Sequence, residues 1–158
     1  MLAKSCLYRL RCVLRKETYT QIETEPNTHP VQSFPKSSVE SVRHPNLKLV
    51  LCHGGGFLPY QIGRLQGGYQ TGAEKVVELA LDGPEAYLPK LYYDTVTLNP
   101  RSLRLLLDLA GPDHVMLGSD FVWQPMGANI MDAVQAADLE QATFRKICMD
   151  NARVVFNN

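Results

Sequence analysis

Apolar residues along this chain come in short bursts punctuated by Gly, Pro and Asn. Three bursts, 47–52 (LKLVLC), 91–96 (LYYDTV) and 114–118 (HVMLG), are nearly continuous and rich in β-branched, aromatic or other strand-compatible residues. That pattern predicts short strands buried on both faces. Between them the spacing turns helical. The stretch 59–70 can begin a helix, and 74–81 (EKVVELAL) places Val76, Val77, Ala80 and Leu81 on one side before Asp82-Gly83-Pro84 stops it. Asn99-Pro100 reads as an N-cap followed by proline at the first helical position, starting a helix that runs to about Ala110 and ends at Gly111-Pro112. From about residue 129 the chain reads as one or two further helices. Strand alternating with helix is the pattern of consecutive βα units around a parallel sheet, an α/β fold.

The first forty residues differ. Residues 5–14 fit a short amphipathic helix, and 17–38 hold three prolines, many Thr and Ser, and little periodicity. The expected division is therefore an irregular, linker-like segment over 1–38 and a regular α/β part over 39–158. At 158 residues, 45% hydrophobic and 20% charged, the chain has globular composition and room for about one domain. Sixteen basic and sixteen acidic residues cancel, which removes any whole-chain argument for nucleic acid. Locally the charge is uneven. Lys4, Arg9, Arg11, Arg15 and Lys16 give the first sixteen residues +5, which fits either a solvated leader or an organelle-targeting peptide. No apolar run reaches 18 residues, which excludes a helical membrane span. Cys6, Cys12, Cys52 and Cys148 form no close metal-binding pair, and reduced thiols in the cytoplasm are the simplest reading.

In parallel α/β architectures the functional rim lies at the carboxyl ends of the strands. His53 follows the first predicted strand and Asp120 the third. Imidazole and carboxylate converging there can bind one divalent ion or move a proton; alone, each residue is equally at home as a structural histidine or a turn and capping aspartate. Asp94, inside the second strand, reads as a rim hydrogen bonder. Gly54-Gly55-Gly56 permits positive φ and close approach, and can expose N–H groups to an oxyanion. A strand followed by HGGG also occurs in lipase-like α/β-hydrolases, but those need a G-x-S-x-G elbow, and this sequence has none. Arg64, eleven residues after His53, offers a fork for a carboxylate or is a surface residue. Phe121 and Trp123 can line an apolar pocket or pack in the core. His114 precedes its strand and belongs to the opposite rim.

Residues 44–65 (HPNLKLVLCHGGGFLPYQIGRL), 91–121 (LYYDTVTLNPRSLRLLLDLAGPDHVMLGSDF) and 151–156 (NARVVF) resemble the carboxyl-terminal half of amidohydrolase-related proteins. The similarity is strongest to the aminocarboxymuconate-semialdehyde decarboxylase-like branch, with the motif His-Gly-Gly-Gly-x-x-Pro-x-x-x-Gly-Arg intact. The resemblance implies part of a (β/α)8 TIM barrel of the metal-dependent hydrolase type, retaining about three C-terminal βα units, since a whole barrel takes roughly 250 residues. It also implies one divalent metal, zinc by expectation, with Asp120 as a ligand after the eighth strand. His53, after the sixth, would assist proton transfer. Arg64 would meet the substrate carboxylate, in the decarboxylase across a dimer interface. The implied reaction is non-oxidative loss of CO₂ from an unsaturated or aromatic carboxylic acid, or, as in related members, hydrolysis. The family's His-x-His pair from the first strand is absent. His29-Pro30 imitates its fifth-strand ligand, but without an apolar strand before it and only 24 residues ahead of His53. A three-unit slice is expected to leave sheet edges unpaired. The second reading of the chain is thus a non-catalytic interaction module that pairs with a full-length homologue.

Overall fold

The computed structural model describes residues 9–13, 21–23, 46–71, 82–120 and 129–156. Five strands lie among them: β1 (Arg9–Val13), β2 (Gln21–Glu23), β3 (Lys48–Leu51), β4 (Tyr92–Asp94) and β5 (Val115–Met116). They form one sheet in the order β2-β1-β3-β4-β5. The three strands read from the sequence are parallel, with Val50 opposite Tyr92 and Tyr93 opposite Val115. The helices are α1 (Ile62–Thr71), α2 (Pro100–Ala110), α3 (Asp132–Ala136), α4 (Gln141–Arg145) and α5 (Asn151–Phe156). A π-helical turn, Lys146–Asp150, joins the last two. The helix expected over 74–81, the loop with Phe121 and Trp123, and His29 lie outside the described residues.

Alternation along the strands sorts side chains to two faces. Leu49, Leu51, Tyr93 and Val115 pack on one face with Ile62 and Leu65 of α1, Leu103 and Leu106 of α2, Val134 of α3 and Ile147 of the π turn. Val50 and Met116 pack on the other with Val155 of α5, and Tyr92 joins them. This is the layering of a piece of a β/α barrel, with most helices on one face of the sheet and a second, smaller apolar cluster on the other, where α5 contributes Val155. Helix α2 starts as its sequence dictates. The Asn99 side-chain oxygen accepts from Arg101 N at 2.9 Å and Ser102 N at 3.2 Å. Its buried stripe is Leu103, Leu106 and Ala110, and Gly111 ends it at φ 85°.

Two expectations about the amino-terminal region are corrected. Residues 9–13 form a strand, not part of a helix. The alternation Arg-Leu-Arg-Cys-Val suits a period of two as well as a helical face, and the free edge of β3 decides between them. Inside the stretch expected to be irregular, Gln21–Glu23 pairs with β1. The β3 edge is consequently covered: β1 runs antiparallel to it, Leu10 opposite Leu51 and Cys12 opposite Leu49. An antiparallel hairpin thus occupies the position where a parallel barrel would continue.

Helix α5 is fastened to the foot of the sheet. The side chain of Asn151, 4% exposed, donates to Pro112 O at 2.8 Å and to Val115 O at 2.6 Å. Lys48 Nζ donates to Val154 O. Asn151→Leu keeps the branched outline of the side chain but removes both bonds. The expected loss is about 2–3 kcal/mol of stability, read as a lower urea midpoint with unchanged slope.

Candidate active site

His53 lies two residues past β3 and Asp120 four past β5, at the same, carboxyl end of the parallel strands. His53 Nε2 lies 3.4 Å from Asp120 Oδ1, each side chain 30% exposed. Both residues take the left-handed backbone conformation that non-glycine residues avoid, φ 58° at His53 and 48° at Asp120. Such a conformation persists only where surrounding contacts hold it.

Those contacts come from β4, the strand between. Asp94 Oδ1 accepts from Gly54 N at 2.9 Å and Val96 N at 3.0 Å. Burial pushes the Asp94 carboxyl above its ordinary range, and the N–H groups of Gly54, Val96 and His53 pull it partly back. It is thus the rim hydrogen bonder anticipated from the sequence. The next residue, Thr95, is 3% exposed, and its hydroxyl accepts from Gly118 N at 3.2 Å. Below them Tyr93 is fully buried, its hydroxyl donating to Leu88 O at 3.0 Å. Burial pushes this phenol well above its ordinary pKa, so it stays a neutral donor.

The triple glycine works by close approach. A Cβ at Gly54 would sit 2.5 Å from the Thr97 methyl, and one at Gly55 would sit 2.9 Å from the Tyr93 ring. Its possible use as an oxyanion cradle is overturned. Gly54 N is taken by Asp94, Gly55 N by Cys52 O at 3.1 Å and Gly56 N by His53 O at 2.8 Å. All three N–H groups are spent inside the loop.

Beside His53 opens a cavity of about 280 Å³, walled by Phe57, Tyr60, Thr97, Ser102 and Leu105. Phe57, Tyr60 and Leu105 are partly exposed there, at 41, 72 and 39%. The sequence reading passed over this wall. Its signal was the aromatic pair of FLPY directly after the glycines. Arg64 is exposed on α1 and makes no hydrogen bond or ion pair with His53 or Asp120. His114 stacks on Tyr92 with ring centroids 4.9 Å apart, and its Nδ1 hydrogen-bonds Leu91 O at 3.0 Å. It is structural and lies at the amino end of β5.

Two donors each about 2.0–2.2 Å from one ion lie roughly 3–3.4 Å apart. The His53–Asp120 separation is therefore short enough for Asp120 to hold a divalent ion while His53 addresses a group bound to it. Among the described residues, no group of three or more His, Cys, Asp or Glu comes together that could hold an ion. The pair fits part of a metal site and does not make a complete one.

Comparison with known proteins gives the family. The amidohydrolase family model matches residues 37–157. The chain is 33% identical over 85 residues to 2-amino-3-carboxymuconate-6-semialdehyde decarboxylase of Dictyostelium discoideum, covering 54% of this chain and 23% of that protein. It is 32% identical over 114 residues to 6-methylsalicylic acid decarboxylase of Penicillium expansum, covering 66% and 33%. It thus spans about a quarter to a third of the curated relatives it matches. In fold it is similar to the manganese-bound 5-carboxyvanillate decarboxylase of Novosphingobium aromaticivorans, with TM-score 0.70 at 21% identity over 82% of this chain and 38% of that one. With the parallel strands, the rim pair and a match over most of its length, this chain belongs to the amidohydrolase family, in the aminocarboxymuconate-semialdehyde decarboxylase-like branch.

Proposed function

We propose that the chain carries the proton-transfer and metal-binding rim of a metal-dependent carboxy-lyase acting on an unsaturated or aromatic carboxylic acid. The observation that carries this reading is the 3.4 Å approach of His53 and Asp120 at the carboxyl ends of β3 and β5. In the net reaction a carboxylate leaves as CO₂, and the carbon that held it takes up a proton. His53 Nε2 holds and moves that proton. Asp120 is a ligand of a divalent ion, zinc or manganese, which when bound would polarise the substrate's oxygens. The cavity beside His53 takes the apolar, planar part of the acid against Phe57 and Leu105 and keeps water from it. Residues 39–158 form the barrel-derived part, with 1–38 as an appendage, and cysteine usage favours the cytoplasm.

The test adds Zn²⁺ or Mn²⁺ to the purified chain and measures bound metal and CO₂ release from aromatic and muconate-type acids. Turnover with metal retained supports the proposal. Hydrolysis products without CO₂ would replace decarboxylation by the sister reaction.

The count of donors among the described residues favours a second reading, a module that acts only beside a full-length homologue. Co-purification with such a homologue and no metal on the chain alone would support it.

Arg64 is the proposed carboxylate anchor, acting from a neighbouring copy because its own His53–Asp120 pair does not meet it. Mixing inactive His53→Ala and Arg64→Ala chains is then expected to restore up to about a quarter of wild-type turnover, since one composite site per mixed dimer is intact. Failure of the mixture to recover would rule out an anchor supplied from a neighbouring copy.

A further inference from the structure

We infer that Asp94, with Thr95 beside it, is a positioning residue that sets the distance between His53 and Asp120. The inference deepens the function proposed above, and its geometry stands on observations separate from any activity. His53 and Asp120 sit on loops from two strands that do not touch, since β4 lies between β3 and β5. Apart from their direct 3.4 Å contact, the strand that touches both loops is β4. Its carboxyl end makes one specific contact to each side. Toward β3, Asp94 Oδ1 accepts from Gly54 N at 2.9 Å, one residue past His53. Toward β5, Thr95 Oγ1 accepts from Gly118 N at 3.2 Å, two residues before Asp120. Asp94 also touches that second loop. A Cβ at Gly118 would lie 2.7 Å from Asp94 Cβ and 3.2 Å from its Cγ, so the loop lies directly on the Asp94 side chain.

The two loops need such a holder. His53 and Asp120 both occupy the left-handed region, which Asp and His tolerate better than most residues but which surrounding contacts still have to hold. Asp94 is half-buried beneath them, and at its Oδ1 it accepts from the loop amide and from Val96 N. A side-chain oxygen that accepts from a loop amide holds that loop in place. The side chains of 94 and 95 thus act as a jig, one arm to the imidazole loop and one to the carboxylate loop.

The test reads the rim without substrate or metal. The chain is treated with diethyl pyrocarbonate, and the modification rate of each histidine is followed by mass spectrometry, with His114 as internal control. Asp94→Ala is expected to raise the His53 rate at least fivefold, as Asp120→Asn does, because the ring is released from its partner. The His114 rate stays unchanged. Asp94→Asn keeps an acceptor oxygen and is expected to stay within twofold of wild type. Thr95→Val is expected to raise the His53 rate and Thr95→Ser to restore it. This pair carries the test if circular dichroism shows Asp94→Ala unfolded. An unchanged His53 rate in folded Asp94→Ala or Thr95→Val would overturn the inference, and so would equal rises at His53 and His114, which would mean general loosening. Absent CO₂ release would remove the proposed function and leave these rates unaltered.

Discussion

Gly54→Ala is expected to cost roughly 2–5 kcal/mol of stability and to disturb the rim at the same time. About 1–2 kcal/mol comes from holding a residue with a Cβ in the left-handed conformation that position 54 adopts at φ 58°. About 1–3 kcal/mol more comes from overpacking, because the new methyl would start 2.5 Å from Thr97 Cγ2 and 3.4 Å from Leu106 Cδ2. Thr97 is short and β-branched and has little room to swing aside. The strain can be relieved by lifting the loop, which breaks the Gly54 N–Asp94 bond and carries His53 away from Asp120. Chemical denaturation measures the stability loss, and the His53 modification rate measures the displacement. Gly63→Ala is the control, since a Cβ there meets nothing within 4 Å. It is expected to be neutral or slightly stabilising within the helix α1 that contains it.

His53→Ala is expected to lower decarboxylation by about 10²–10⁴-fold, the range a positioned acid–base group contributes. KM changes little, because the apolar wall of the cavity that holds the acid is untouched. The same substitution leaves Asp120 without the imidazole beside it, and because that contact is still partly open to solvent its loss costs at most about 1 kcal/mol of stability. A large fall in turnover without a fall in the denaturation midpoint separates a chemical role from a structural one.

The parts of the fold visible in the sequence were those whose cause is local. β3 and β5 announce themselves as dense apolar runs, and α2 carries its cap, its proline and its terminating glycine within the segment itself. The amino-terminal hairpin was not legible, because Arg9–Val13 fits two periodicities. The choice is made by a partner almost forty residues away, the edge of β3. The site divides in the same way. His53 and Asp120 were visible as polar residues closing apolar strands. Asp94 was legible as a rim hydrogen bonder, but its partner Gly54, 40 positions away, and the contact of Thr95 to Gly118, 23 positions away, were not. The glycine N–H groups looked available for an anion because composition does not show that the loop folds back on its own carbonyls. Arg64 was visible as a motif residue, and what the motif could not convey is that it faces solvent on α1 rather than its own rim pair.

The account depends on one ion-sized meeting point shared by His53 and Asp120. The direct measurement is a Mn²⁺ titration of the isotopically labelled chain, followed by paramagnetic line broadening in its NMR spectrum. The account predicts that the His53 ring and the amides of Gly54 and Gly118 broaden first, and that Asp120→Asn abolishes the selectivity. Broadening centred elsewhere on the chain, or a pattern unchanged by Asp120→Asn, would contradict it.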